Sequence, residues 1–183
     1  MNFQLFHVIN SLAGRWTAVD QLIRFAAVDL IFVAFAVAAI PCVRALRRRE
    51  IRPLACLGVT LAVAFGLSQA LAYASREMRP FQDHPVHQLI PHAPGVSLPS
   101  DHATAAFALA FGVWAFQSRR IGLVLTVAAV LIGLARVAAG VHYPGDILAA
   151  AIIAALSAFA VHVTELGARD LPPLTVRRGR ARN

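Results

Sequence analysis

The sequence predicts an all-α membrane protein: a polytopic bundle of about five transmembrane helices with one further N-terminal helix lying at the membrane surface. Three observations carry this expectation. Of 183 residues, 58% are hydrophobic and only 14% are charged, against about 25% charged in a soluble domain. Apolar runs of about 20 residues recur, the length that crosses a bilayer as a helix. All 17 basic residues are Arg, and most of them stand between the apolar runs. A net charge of +8 would suit nucleic acid, but Arg flanking membrane spans accounts for it, so no nucleic-acid partner is expected and the bilayer is. Cys42 and Cys56 lie near the ends of apolar runs and form neither a disulfide framework nor a metal-ligand spacing. The N-terminus has no basic stretch followed by a short apolar core and a small-residue cleavage site, so no cleaved signal peptide is expected.

The elements follow in chain order. MNFQLFHVINSLAG carries apolar residues at Phe3, Leu5, Phe6, Val8, Ile9 and Leu12 and is too short to span; it reads as an interfacial helix ended by Gly14. The first span is expected at 24–44, with Asp29 as an unusual guest, and the second at 54–74 after the loop VRALRRREIRP. A Pro- and His-rich polar segment covers 77–101. The third span follows at 102–117, the fourth at 121–139 after QSRR, and the fifth at 145–166 after AGVHYPGD. Residues 1–168 read as a single integral membrane domain and 169–183 as a basic tail. Twelve Arg fall in the 44–52 loop, the QSRR loop and the tail. With five spans these share one face, which the excess of positive charge makes cytoplasmic. The tail is then inside, and the N-terminus and the 77–101 segment are outside.

Three polar groups collect at that outer level from distant parts of the chain. SREMRPF brings Arg76 and Arg79, PSDH brings Ser100, Asp101 and His102, and ARVAAGVHYPGD brings Arg136, His142 and Asp146. An ionisable residue in a span costs about 2.5–3.5 kcal/mol on insertion scales, so Arg136 at the end of an apolar helix needs a partner. Converging Arg side chains suit an anion, and phosphate fits the guanidinium fork. A neutral His held by a carboxylate can attack phosphorus, and a second His can protonate the leaving oxygen. His142 and Asp146 are four residues apart with Pro144 and Gly145 between them, a sequence suited to a helix start that brings Asp146 back to His142. Ser100 and the free N–H groups at the third span's start can hold phosphoryl oxygens.

These residues carry a resemblance. PSDH, followed by Arg136, His142 and Asp146 at spacing R-x5-H-x3-D, and Arg79-Pro80 ahead of them, resemble the membrane type-2 phosphatidic acid phosphatase superfamily. Within it, SLPSDHAT, RPF and the opening MNFQLFHVIN are similar to the bacitracin-resistance type of undecaprenyl-diphosphatase. The resemblance implies His142 as the nucleophile that forms a phosphohistidine, Asp146 as its orienting acid and His102 as general acid. It implies Arg79, Ser100 and Arg136 as phosphate ligands, with no metal and no cofactor. Two positions depart from the family pattern. Ala72 stands where the family has Lys, and Arg76, one turn on, can supply that charge. Asp101 replaces the Gly of PSGH, as in the undecaprenyl-diphosphatase group, and is counted with the phosphate-binding set, where it is expected to hold a neighbouring Arg or the helix start.

The implied activity is hydrolysis of undecaprenyl diphosphate to undecaprenyl phosphate and phosphate, in lipid-carrier recycling at the outer face of a bacterial cell membrane. The alternatives are the same chemistry on another lipid phosphate, such as phosphatidate, phosphatidylglycerol phosphate or a prenyl-linked sugar phosphate, and a non-catalytic protein that binds anionic lipid. Binding alone would leave the His pair and Asp146 unused. The sequence leaves the oligomeric state open. His84, His87 and His92 are spaced H-x2-H-x4-H, which would suit zinc, but no Cys or well-placed carboxylate completes such a site. They are read as part of a solvated loop or of a lid over the headgroup.

Overall fold

The structure is a computed structural model that describes residues 2–169; the expected tail lies outside the described residues except for its first residue. Among the described residues the chain forms α1 (Asn2–Asn10), α2 (Thr17–Val28), α3 (Leu30–Arg47), α4 (Ile51–Ala74), α5 (Pro80–Asp83), α6 (Asp101–Phe116), α7 (Arg119–Ala138) and α8 (Pro144–Arg169). The all-helical bundle is as expected. Helices α3, α4, α7 and α8 are long and apolar enough to cross a membrane. Phe32, Leu123, Leu148, Leu156 and Phe159 project from them exposed, as lipid-facing side chains do.

Helix α6 is the centre of the bundle. It packs on α3, α4, α7 and α8, and nine of its 16 residues are buried. At about 1.5 Å per residue it is about 24 Å long, shorter than the hydrocarbon core. A helix enclosed by other helices need not meet lipid over its whole length. Small residues allow this enclosure, since packing within a bilayer depends on close backbone approach. Ala103, Ala106, Ala108 and Ala110 are at most 2% exposed. Gly122 of α7 lies so close to α6 that a Cβ there would come within 2.5 Å of the Trp114 backbone.

The first span differs from expectation. The continuous helix expected at 24–44 is two helices that meet at Asp29, which is capped by a bond from its N–H to the Phe25 carbonyl (2.8 Å). Asp29 therefore stands at the head of a span that begins at Leu30, where its charge can reach water at lower cost. Helix α2 packs on α3 and α7, and α1 packs on α7 and α8. Phe6 of α1 is fully buried, with its ring edge-on to Tyr143 at 5.5 Å. The N-terminal helix thus roofs the same end of the bundle as the α7–α8 turn.

Candidate active site

Four pieces of chain meet at that end: the start of α6, the end of α7, the turn into α8 and the segment 77–100. Gly140 makes the turn possible. Its φ of +83° suits glycine, and a Cβ there would lie 2.7 Å from the His87 carbonyl oxygen. The chain then presents His142 and enters α8 at Pro144, whose ring costs nothing in a first helical turn. Asp146, two residues on, reaches back so that its Oδ2 accepts the Tyr143 N–H (2.8 Å), as the acid of a capping box does. The same oxygen lies 3.1 Å from His142 Nδ1. The spacing H-x3-D is therefore the spacing of a helix cap that also grips the imidazole.

The tautomer of His142 follows from its partners. Arg79 Nη1 lies 3.0 Å from His142 Nε2. A guanidinium can only donate, so Nε2 is the acceptor and the proton is on Nδ1, facing Asp146. His142 is 1% exposed. Burial, reinforced by Arg136 and Arg79 and opposed by the bond to Asp146, pushes its pKa down to about 4. The ring is thus neutral near pH 7, with a lone pair on the nitrogen that faces the cluster.

Ser97, also fully buried, completes the arrangement by donating its hydroxyl to Asp146 Oδ2. It lies in the SLPSDH string but carries no expected role; its contact spans 49 residues of sequence, and no local pattern announces it. Ser100 is buried and caps α6, accepting from the Ala103 N–H (3.5 Å). His102, on the first turn of α6, is partly buried and within electrostatic reach of Arg136, His92 and Arg79. Arg136 is 3% exposed and donates to the Ala27 carbonyl (3.3 Å). The Nε atoms of Arg79 and Arg136 are buried without a hydrogen-bond partner. Buried donors of this kind are costly unless satisfied, and the oxygens of a phosphoryl group suit them.

The remaining expected residues are exposed, and Asp101 lies within electrostatic reach of Arg79 and Arg136. Asp101 is exposed and accepts from Gln69 Nε2 (3.4 Å). Arg76 is exposed, with no hydrogen bond or ion pair among the described residues. Glu77, next to Arg76, accepts from Asn2 Nδ2 (3.4 Å).

The three loop imidazoles separate. His84 packs on Phe3 with ring centroids 4.1 Å apart, His87 lies against Gly14, and His92 stands over His142 at 5.9 Å. No group of three metal-ligating side chains occurs among the described residues. Asn10 anchors this segment. Its Nδ2 donates to the His87 and Ala138 carbonyls (both 2.8 Å), and its Oδ1 accepts the His87 N–H (3.0 Å).

Residues 53–169 match the model of the PAP2 superfamily, a stretch that takes in the Arg79, Ser100–His102 and Arg136–Asp146 pieces of the cluster. The chain belongs to the PAP2 superfamily. It is 30% identical to undecaprenyl-diphosphatase BcrC of Bacillus subtilis (strain 168), over 87% of this chain and 81% of that one. It is 31% identical to the putative undecaprenyl-diphosphatase YbjG of Escherichia coli (strain K12), over 86% and 81%. Among solved structures, that of LpxE from Aquifex aeolicus superposes with a TM-score of 0.70 at 24% identity, covering 87% of this chain and 93% of that one. A PAP2-type phosphatidylglycerolphosphate phosphatase of Bacillus subtilis superposes at 0.57 and 18% identity, over 93% and 96%. The two structures share the fold. The family and its curated relatives make this chain a multi-pass membrane lipid phosphatase, a hydrolase with a lipid substrate in a bilayer.

Proposed function

We propose that the protein hydrolyses undecaprenyl diphosphate to undecaprenyl phosphate and inorganic phosphate, at the outer face of a bacterial cell membrane, through a phosphohistidine on His142. The observation that carries the chemistry is the buried Ser97–Asp146–His142 chain beneath two guanidiniums with unpartnered Nε atoms. The name of the relatives supports the substrate. Arg79 leaves His142 Nε2 for a phosphoryl oxygen as the headgroup enters. Nε2 then attacks the terminal phosphorus, the bridging P–O bond breaks, and undecaprenyl phosphate departs with the electron pair. His102 gives a proton to the leaving oxygen. Water, losing a proton to His102, then attacks the phosphohistidine; inorganic phosphate leaves and His142 returns to neutral. Arg79, Arg136, Ser100 and the N-terminus of α6 hold the phosphoryl oxygens throughout. Arg76 and Asp101 are assigned to the mouth, where they act on the approaching headgroup rather than on the reacting phosphorus.

The outer placement rests on the Arg-rich loops at the opposite end of the bundle. A cysteine at Asp83 should be labelled from outside intact cells and one at Glu50 spared, in a background lacking Cys42 and Cys56; the reverse overturns the orientation. The substrate test is phosphate release by the purified protein from undecaprenyl diphosphate, phosphatidate and phosphatidylglycerol phosphate without added metal. The diphosphate should be the best substrate, and His142→Ala should abolish turnover of all three. Faster release from either glycerolipid would refute the substrate, and a folded, active His142→Ala protein would refute the nucleophile.

A further inference from the structure

His92 is the one residue of its run that turns inward. Pro91, Ala93 and Pro94 are exposed, while His92 is partly buried and meets the His142 ring edge-to-face at 5.9 Å. The fold holds it there from both sides. Before it, the Leu89 N–H donates to the Ala139 carbonyl (3.1 Å), and Ile90 is buried beside Ala139 and Val141. After it, the Gly95 N–H donates to Gln82 Oε1 (2.8 Å) and the Ser97 N–H to the Glu77 carbonyl (2.8 Å). His92 Nδ1 lies 3.1 Å from the Ala93 carbonyl oxygen. A carbonyl only accepts, so Nδ1 carries the proton and Nε2 is free to take a second.

The groups around it are Arg79 at the head of α5, Asp101 and His102 of α6, Arg136 of α7 and His142 of the α7–α8 turn. Burial pushes the His92 pKa down, and the two guanidiniums add to that effect. The ring is therefore neutral until a further negative charge arrives. A fully ionised terminal phosphoryl group is a dianion, which Arg79 and Arg136 match. A diphosphate monoester adds a charge on its inner phosphate. We propose that His92, as imidazolium, binds the inner phosphate of a lipid diphosphate through Nε2 and is the residue that favours diphosphate over monophosphate. This rests on the lipid-diphosphate reading above. It makes His92 a specificity residue, while attack at the terminal phosphorus stays with His142.

The test compares kcat/KM on farnesyl diphosphate and farnesyl monophosphate in detergent for the wild type, His92→Gln and His92→Lys. A charge-assisted hydrogen bond to the inner phosphate is worth about tenfold or more. His92→Gln should lose about that factor on the diphosphate and much less on the monophosphate, and His92→Lys should recover most of the preference. Equal losses on both substrates in His92→Gln would overturn the role of His92 while leaving the substrate reading intact. A wild-type protein that cleaves the monophosphate but leaves the diphosphate untouched would sink the substrate reading itself, and this inference with it.

Discussion

Replacing Asp146 by Asn removes a charge and almost no volume. Its Oδ2 accepts three donors: the Tyr143 N–H at 2.8 Å, His142 Nδ1 at 3.1 Å and the Ser97 hydroxyl. An Asn oxygen at the same place can accept all three, so the helix cap and the turn should survive. What is lost is the negative charge that faces the ring as it becomes an N-phosphoryl imidazolium. Two unit charges at the 3.1 Å separation interact by about 5 kcal/mol at an effective dielectric constant of about 20. That corresponds to about 10⁴ in rate. The amide dipole recovers part of it, so Asp146→Asn should lower kcat by about 10²–10⁴, while the thermal midpoint falls modestly because the amide NH2 replaces the buried, unpartnered Oδ1. The assay is phosphate release from a lipid phosphate in detergent, paired with thermal unfolding of the same preparation. A variant within about threefold of wild-type kcat would refute the reasoning, because the buried carboxylate would then be only a helix cap.

Three further outcomes are expected. Ser97→Ala should lower kcat about tenfold with KM unchanged, since only the orientation of Asp146 is disturbed; an unchanged kcat would leave Ser97 a packing residue. Asn10→Ala should lower the thermal midpoint, because it strips partners from the His87 N–H and the His87 and Ala138 carbonyls, at a cost of about 2 kcal/mol or more. A midpoint equal to wild type would show that Asn10 does not anchor the segment. Stability should also depend on pH through His142. Its folded pKa of about 4 lies below the ordinary 6.5, so between those values the unfolded chain takes up a proton that the folded protein refuses. Stability therefore falls as pH drops from 6.5 to 4, by about 3 kcal/mol from this group. The difference in thermal midpoint between wild type and His142→Asn should change across that window; a constant difference would refute it.

Much of the architecture was legible in the sequence because a bilayer leaves few choices. Each long apolar run must be a helix that satisfies its own backbone, and consecutive runs must alternate direction. That alternation alone brings Arg79, the Ser100–His102 string and the Arg136–Asp146 string to one end. The pairing of His142 with Asp146 was legible too, since it is local: the geometry of a helix start sets it, with Pro144 and Gly145 between. Hydropathy places Asp29 within a continuous span because it averages over one charge, whereas the chain ends one helix there and begins the next.

The residues that complete the cluster belong to tertiary structure. Ser97 reaches Asp146 across 49 residues, Arg79 reaches His142 across 63, and Asn10 holds His87 across 77. The spacing of His84, His87 and His92 suggests a zinc-binding set, a solvated loop or a lid over the headgroup. The irregular 84–97 segment sends them instead to Phe3, to Gly14 and to the reacting imidazole. No periodic face governs such a segment. Its path is decided by hydrogen bonds to Asn10, Ala139, Gln82 and Glu77, groups that become neighbours only once the helices have packed.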